Sequence, residues 1–140
     1  MNTNNRPVLK RFGIISINGA VENEAPPGTT LAISVNKNIT LEQVADHNQA
    51  PTNLVRVTVE LSGSGDKDGE NAIRYVAFTA KYIGLYELEQ NPDSIPQALT
   101  ADEDMQLFMV AQMMPLATGH FRNHLAMLGL NNVTLPFSLL

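Results

Sequence analysis

Four stretches of the chain alternate apolar and polar residues with a period of two, and the last third changes to a period near 3.6. The cleanest alternation is Leu54–Ser62, with Val55, Val57, Val59 and Leu61 on one face and Arg56, Thr58 and Glu60 on the other. Leu31–Leu41 places Leu31, Ile33, Val35, Ile39 and Leu41 on one side and Ser34, Asn36 and Asn38 opposite; Lys37 in the apolar register marks this strand as nearing an edge. Phe12–Ile17 is a short first strand with Phe12 and Ile14 on one face and Ile15 and Ile17 on the other. Ile73–Leu88 carries Val76, Phe78, Ala80 and Tyr82 on one face. At about 16 residues it is far longer than the usual strand. Gly84 interrupts it, and a glycine inside a strand predicts a bulge or a close backbone approach, with the pattern shifting beyond it.

Between the strands lie Pro26-Pro27-Gly28, a surface turn, and Glu42–Asn53, a polar connection. Gly63–Gly69 is rich in Gly and Asp and joins two alternating runs as an antiparallel hairpin. After Asn91–Pro96 comes Thr100-Ala101-Asp102-Glu103, the sequence of a capping box that opens a helix. Leu107, Val110, Ala111 and Met114 give it an apolar stripe. Pro115 is expected to kink or break that helix, after which Ala117, His120, Phe121, His124, Leu125 and Leu128 form a second stripe closed by Gly129. Strands first and helices last predict an α+β fold: a four-stranded antiparallel sheet with C-terminal helices packed on one face. Residues 1–11 are read as a disordered arm and 12–140 as one domain.

Composition narrows the function classes. The chain has 140 residues, 44% hydrophobic and 16% charged, as a globular domain does. A net charge of −5, with only nine basic residues, argues against nucleic acid, which demands clustered Lys and Arg. With no cysteine there is no disulfide, thiolate metal site or cysteine nucleophile. No signal-peptide pattern or membrane-length apolar run is present, so a cytoplasmic protein without membrane insertion is expected.

Few residues offer chemistry. His120 and His124 stand one helical turn apart, as two metal ligands would, but no glutamate lies between them and no third ligand is evident. A packed histidine pair on a helix face is the simpler reading, and no metal or other cofactor is expected. Asp66 and Asp68 before Gly69 superficially match a calcium loop, but the bidentate glutamate's position falls on Tyr75. Ser64 lies between glycines without the frame of a nucleophile elbow. No enzyme site emerges. Five of the six methionines, Met105, Met109, Met113, Met114 and Met127, lie in the helical third, either as core filling or as an adaptable apolar surface.

Several segments, taken in order, resemble one family. They are Phe12 opening the first strand, Glu24-Ala25-Pro26, the strand Leu31/Ile33/Val35, Gly84-Leu85-Tyr86-Glu87-Leu88, Met113-Met114-Pro115-Leu116-Ala117, and Val133-Thr134-Leu135-Pro136-Phe137. Nearly end to end, the chain resembles the SecB and SecB-like protein-export chaperones. The resemblance implies an ATP-independent holdase that binds unfolded or non-native polypeptides, such as preproteins for export, in apolar grooves, and that assembles as a homotetramer, a dimer of dimers. By position, Leu31, Ile33, Val35 and Phe137 would line the client groove, and Val76, Phe78, Ala80 and Tyr82 would make or border the interface between protomers. The chain stops at Leu140, without the extra C-terminal helix and polar tail that SecB proteins use partly to contact the SecA motor, which counts against SecA as a partner. A dedicated adaptor for one specific partner, such as an antitoxin, is the alternative reading. A small metal-dependent enzyme built on His120 and His124 is the third.

Overall fold

The computed structural model describes residues 6–21, 32–66 and 74–127. It contains four long strands: β1 (Val8–Val21), β2 (Ala32–Ala45), β3 (Pro51–Asp66) and β4 (Arg74–Glu87). Two helices follow, α1 (Ile95–Ala101) and α2 (Glu103–Met127), the first preceded by a single 3₁₀ turn at Pro92–Ser94. All four strands form one antiparallel sheet in the order β1-β4-β3-β2. Strands β1 and β2, consecutive in the chain, therefore stand on opposite edges. The expected fold class is the one observed, and great length is common to all four strands rather than special to β4. β1 begins at Val8, inside the stretch expected to be a disordered arm.

The alternation of β3 is realised as expected: Val55, Val57, Val59 and Leu61 are fully buried beneath the helices. On the opposite face Arg56 pairs with Glu42 at 2.8 Å and Glu60 with Lys81 at 3.2 Å, cross-strand pairs on a solvated surface. Three strand expectations change. Gly84 stays in register with both neighbours, opposite Phe12 and Val57, so the pattern of β4 does not shift there. Its missing side chain makes room for the Met113 sulfur, which a methyl at that position would overlap. Gly63–Asp66 continue β3 instead of turning, and residues 46–50, with two amides bonded to the Asp46 carboxylate at 2.8 and 3.0 Å, make the β2–β3 turn. In β1 the pairing slips between Leu9 and Arg11 and again between Ile14 and Ser16; at the second slip Ile15 is the extra residue, and Ile17, opposite Ala80, returns to the face of Phe12 and Ile14.

In α2 the N-cap is Asp102, whose carboxylate accepts from the Met105 amide at 3.1 Å, while Thr100 bonds back within α1. The helix runs unbroken through Pro115. Pro115 and Ala111, whose carbonyl loses its helical donor, both lie on the exposed side, where water can satisfy that carbonyl. The buried ridge is Met105, Met109, Met113, Ala117, Phe121 and Leu125, a strict step of four, with Val110 and Met114 beside it. Such a ridge drifts about 40° per step around a helix of 3.6 residues per turn, so the buried face winds along α2 as the twisted sheet turns beneath it. Leu107 and Ala111, expected in the stripe, are exposed. The four described methionine side chains of α2 are core. Pro26–Gly28, Leu128 and Gly129 lie outside the described residues.

Candidate functional site

Helix α2 is about 37 Å long at 1.5 Å per residue. It packs against the two central strands, β3 and β4, while α1 packs against β2. The sheet is wider than this cover, so the helix-side residues of the edge strands are only partly shielded. On β2 these include Val35, Ile39 and Leu41, with Lys37 in the same row, and on β1 Leu9, Phe12 and Ile17; the six apolar ones are partly buried against the core. Val35 stands opposite Gly63, so no β3 side chain flanks it on this face. The result is a shallow apolar margin beside an edge strand whose pairing runs without irregularity from Ala32 to Gln43. Other hollows among the described residues include a mainly apolar one of about 390 Å³ at the β1–β4 end, lined by Asn18, Gly19, Ala77, Phe78 and Thr79, and two with many polar groups in their walls. Of these two, one of about 610 Å³ is lined by Gln90, Gln97, Asp102, Glu103 and Asp104, and one of about 300 Å³ on the far face of the sheet by Asn36, Asn38, Glu60, Ser62 and Lys81. The β2 margin is thus one surface suited to apolar side chains.

Of the residues expected to line a client groove, Val35 lies on that margin and Ile33 holds the next position of the same face of β2. Leu31 and Phe137 lie outside the described residues. Ile39 and Leu41 extend the same row, and the alternation had already put them on Val35's side without marking them as functional.

Of the four β4 residues expected to make or border an interface, three are covered from within the chain. Phe78, Ala80 and Tyr82 are 3%, 3% and 0% exposed, covered by the chain's own α2. Phe78 meets Phe121 edge-on at 5.0 Å, and Tyr82 meets His120 at 5.4 Å between ring centres. No second protomer can reach these residues without displacing the helix. Period-two alternation shows which side chains share a face but not which layer covers it. Val76 continues the register opposite Val21 and Gly65. Among the described residues, the large apolar side chains left about half exposed on the strands are Val8, Ile14 and Ile15, all on β1.

The histidines belong to the same packing. The Tyr82 hydroxyl and His120 Nδ1 are 3.0 Å apart, and Phe12 stacks on the other side of the Tyr82 ring at 5.9 Å. His124 Nε2 is buried without a hydrogen-bond partner among the described residues. No group of three metal-ligating side chains occurs among the described residues. Burial pushes the Tyr82 and Tyr86 hydroxyls up to about 12. Tyr86 donates to the Met109 carbonyl at 3.2 Å, so two tyrosines of one strand bond to α2 eleven residues apart. No helix among the described residues is long and apolar enough to cross a membrane.

No protein-family model matches the sequence. No curated protein matches it either. Among solved structures, a SecB-like chaperone of Mycobacterium tuberculosis, in complex with a peptide from an antitoxin, superposes with a TM-score of 0.63 at 12% sequence identity, over 94% of this chain and 90% of that one. Together with the strand order and the helix packed on one face, this likeness establishes that the chain has the SecB-like fold.

Proposed function

We propose that this chain is an ATP-independent holdase that binds unfolded or non-native polypeptide along the β2 margin. The observation that carries this reading is the row Val35, Ile39 and Leu41, left partly open on a strand that forms an edge of the sheet among the described residues. A non-native chain offers apolar side chains that such a row can shield, and no nucleotide chemistry is needed for that. Leu31, Ile33, Val35 and Phe137 remain the proposed client-binding residues, with Ile39 and Leu41 added. Self-association, as a dimer or a dimer of dimers, is assigned to β1 through Val8, Ile14 and Ile15 instead of to β4. The site of action is taken to be the cytoplasm.

The direct test is aggregation of a chemically denatured client with stoichiometric chaperone and no nucleotide. Suppression is expected, and an unchanged aggregation rate rejects the reading. Light scattering on wild type and Ile15→Asp tests self-association, with loss of the larger species expected in the variant.

The mycobacterial structure of the same fold holds an antitoxin peptide, which favours a second reading: a dedicated adaptor for one partner. Affinity capture from the native host separates the two. A single dominant partner favours the adaptor, and a broad set of clients favours the general holdase.

A further inference from the structure

Within five residues, α2 carries three features that weaken a helix: Pro115, Thr118 and Gly119. Pro115 has no N–H to offer the Ala111 carbonyl. The Thr118 hydroxyl donates to the Met114 carbonyl at 2.8 Å and lies 3.4 Å from that of Pro115, a back-bonding that tends to bend helices. A side chain at Gly119 would meet nothing within 4 Å, so packing does not require the glycine, and alanine would favour the helix more.

The two halves on either side are held differently. The first is capped by Asp102, bonded from Tyr86 to the Met109 carbonyl, and tied to α1 by Gln106 Nε2 donating to the Leu99 carbonyl at 2.8 Å. Met113 also fills the space above Gly84. The second buries Ala117, Phe121 and Leu125 in the core, and its polar tie to the sheet is the Tyr82–His120 contact, beside the edge-on Phe78–Phe121 pair. It also leaves His124 Nε2 buried and without a partner among the described residues. Beneath it lies an aromatic floor of Phe78 and Tyr82, with Phe12 stacked on Tyr82.

We infer that residues 116–127 are a hinged cover, turning about Pro115–Gly119 while 103–114 stays docked, and that opening adds the Phe78–Tyr82 floor to the surface offered to a bound chain. Opening of one segment below the threshold of global unfolding is ordinary in folded domains. A chain that binds only the open form shifts the equilibrium toward it. The identity of the occupant rests on the holdase reading, whereas the hinge does not.

Native-state amide exchange on the full chain, without client, tests the hinge. Amides of 120–125 are expected to exchange at least about tenfold faster than those of 105–114. Pro115→Ala with Gly119→Ala should bring the two halves within roughly threefold of each other, and Gly119→Ala alone should give part of that change. Equal rates in the wild-type halves, or a gap unchanged in the double variant, overturn the hinge. In a second arm, reduced and carboxymethylated α-lactalbumin serves as the unfolded chain. Binding to the double variant is expected to weaken several-fold, and equal binding by both proteins overturns the role of the floor. If even the wild type does not bind, the holdase reading and the occupant fail together, and the exchange rates still decide the hinge.

Discussion

The centre of the sheet and its β2 margin are built from the same kind of sequence, yet they end in different environments. Phe78, Ala80 and Tyr82 on β4, and Val35, Ile39 and Leu41 on β2 with Lys37 among them, are rows of period two facing the same side. The β4 row is sealed under α2, and the β2 row stays partly open. Strand order makes the difference: β4 is central, β2 is an edge, and one helix cannot cover four strands about 10 Å below its axis and nearly 5 Å apart. An apolar row in this chain is thus core or binding surface according to its place in the sheet.

Substitution can break this contrast. Phe78→Asp should have the largest effect, because it buries an unpaired carboxylate against Phe121; a loss of roughly 4–5 kcal/mol, enough to unfold the protomer, is expected by thermal or denaturant melting. Had this residue lain at an interface, the variant would instead remain a folded protein of smaller assembly. Gly63→Ala comes next. A methyl there would overlap the Ser34 carbonyl, a backbone group that cannot turn aside, and a loss of about 2–4 kcal/mol is expected from denaturant midpoints.

Raising the pH tests the sealed centre without mutation. The folded-state pKa values of Tyr82 and Tyr86 lie above the ordinary 10, so the folded protein holds these protons more tightly than the unfolded chain does. Their contribution is intact below pH 10 and is lost as pH rises toward 12, by up to about 2 kcal/mol for each tyrosine. Tyr86→Phe should flatten that loss in a pH series of melts. At the open margin, Val35→Ser with Ile39→Ser should cost little stability, about 1–2 kcal/mol, while client binding falls several-fold. Equal effects on stability from margin and centre would erase the distinction. On the far face, Arg56→Ala should change stability by under about 0.5 kcal/mol, since its bond to Glu42 lies in solvent.

Much of the strand architecture was legible. The β3 alternation, the edge position of β2 marked by Lys37, and the helical last third all follow from side-chain periodicity. The second apolar stripe was partly right: Ala117, Phe121 and Leu125 are buried, with His120 and His124 half-buried beside them. The first stripe missed the ridge of Met105, Met109 and Met113, because a face that winds along the helix dilutes any fixed-period pattern. The bulge at Ile15 was equally hidden, since both registers put isoleucines on a strand face and only pairing with β4 chooses between them. For the candidate site, Val35 was legible from alternation together with family likeness, but its openness was not.

By itself, the sequence determined the secondary structure of most of the chain, the polar far face of the sheet and the absence of cysteine chemistry, because these depend on local spacing and residue type. Tertiary structure alone decided that β4 is core and β2 is margin, that Gly84 seats Met113, and that Tyr82 meets His120. Each of these depends on which distant segment arrives overhead, and the covering of a face is a non-local event that no period along one strand encodes.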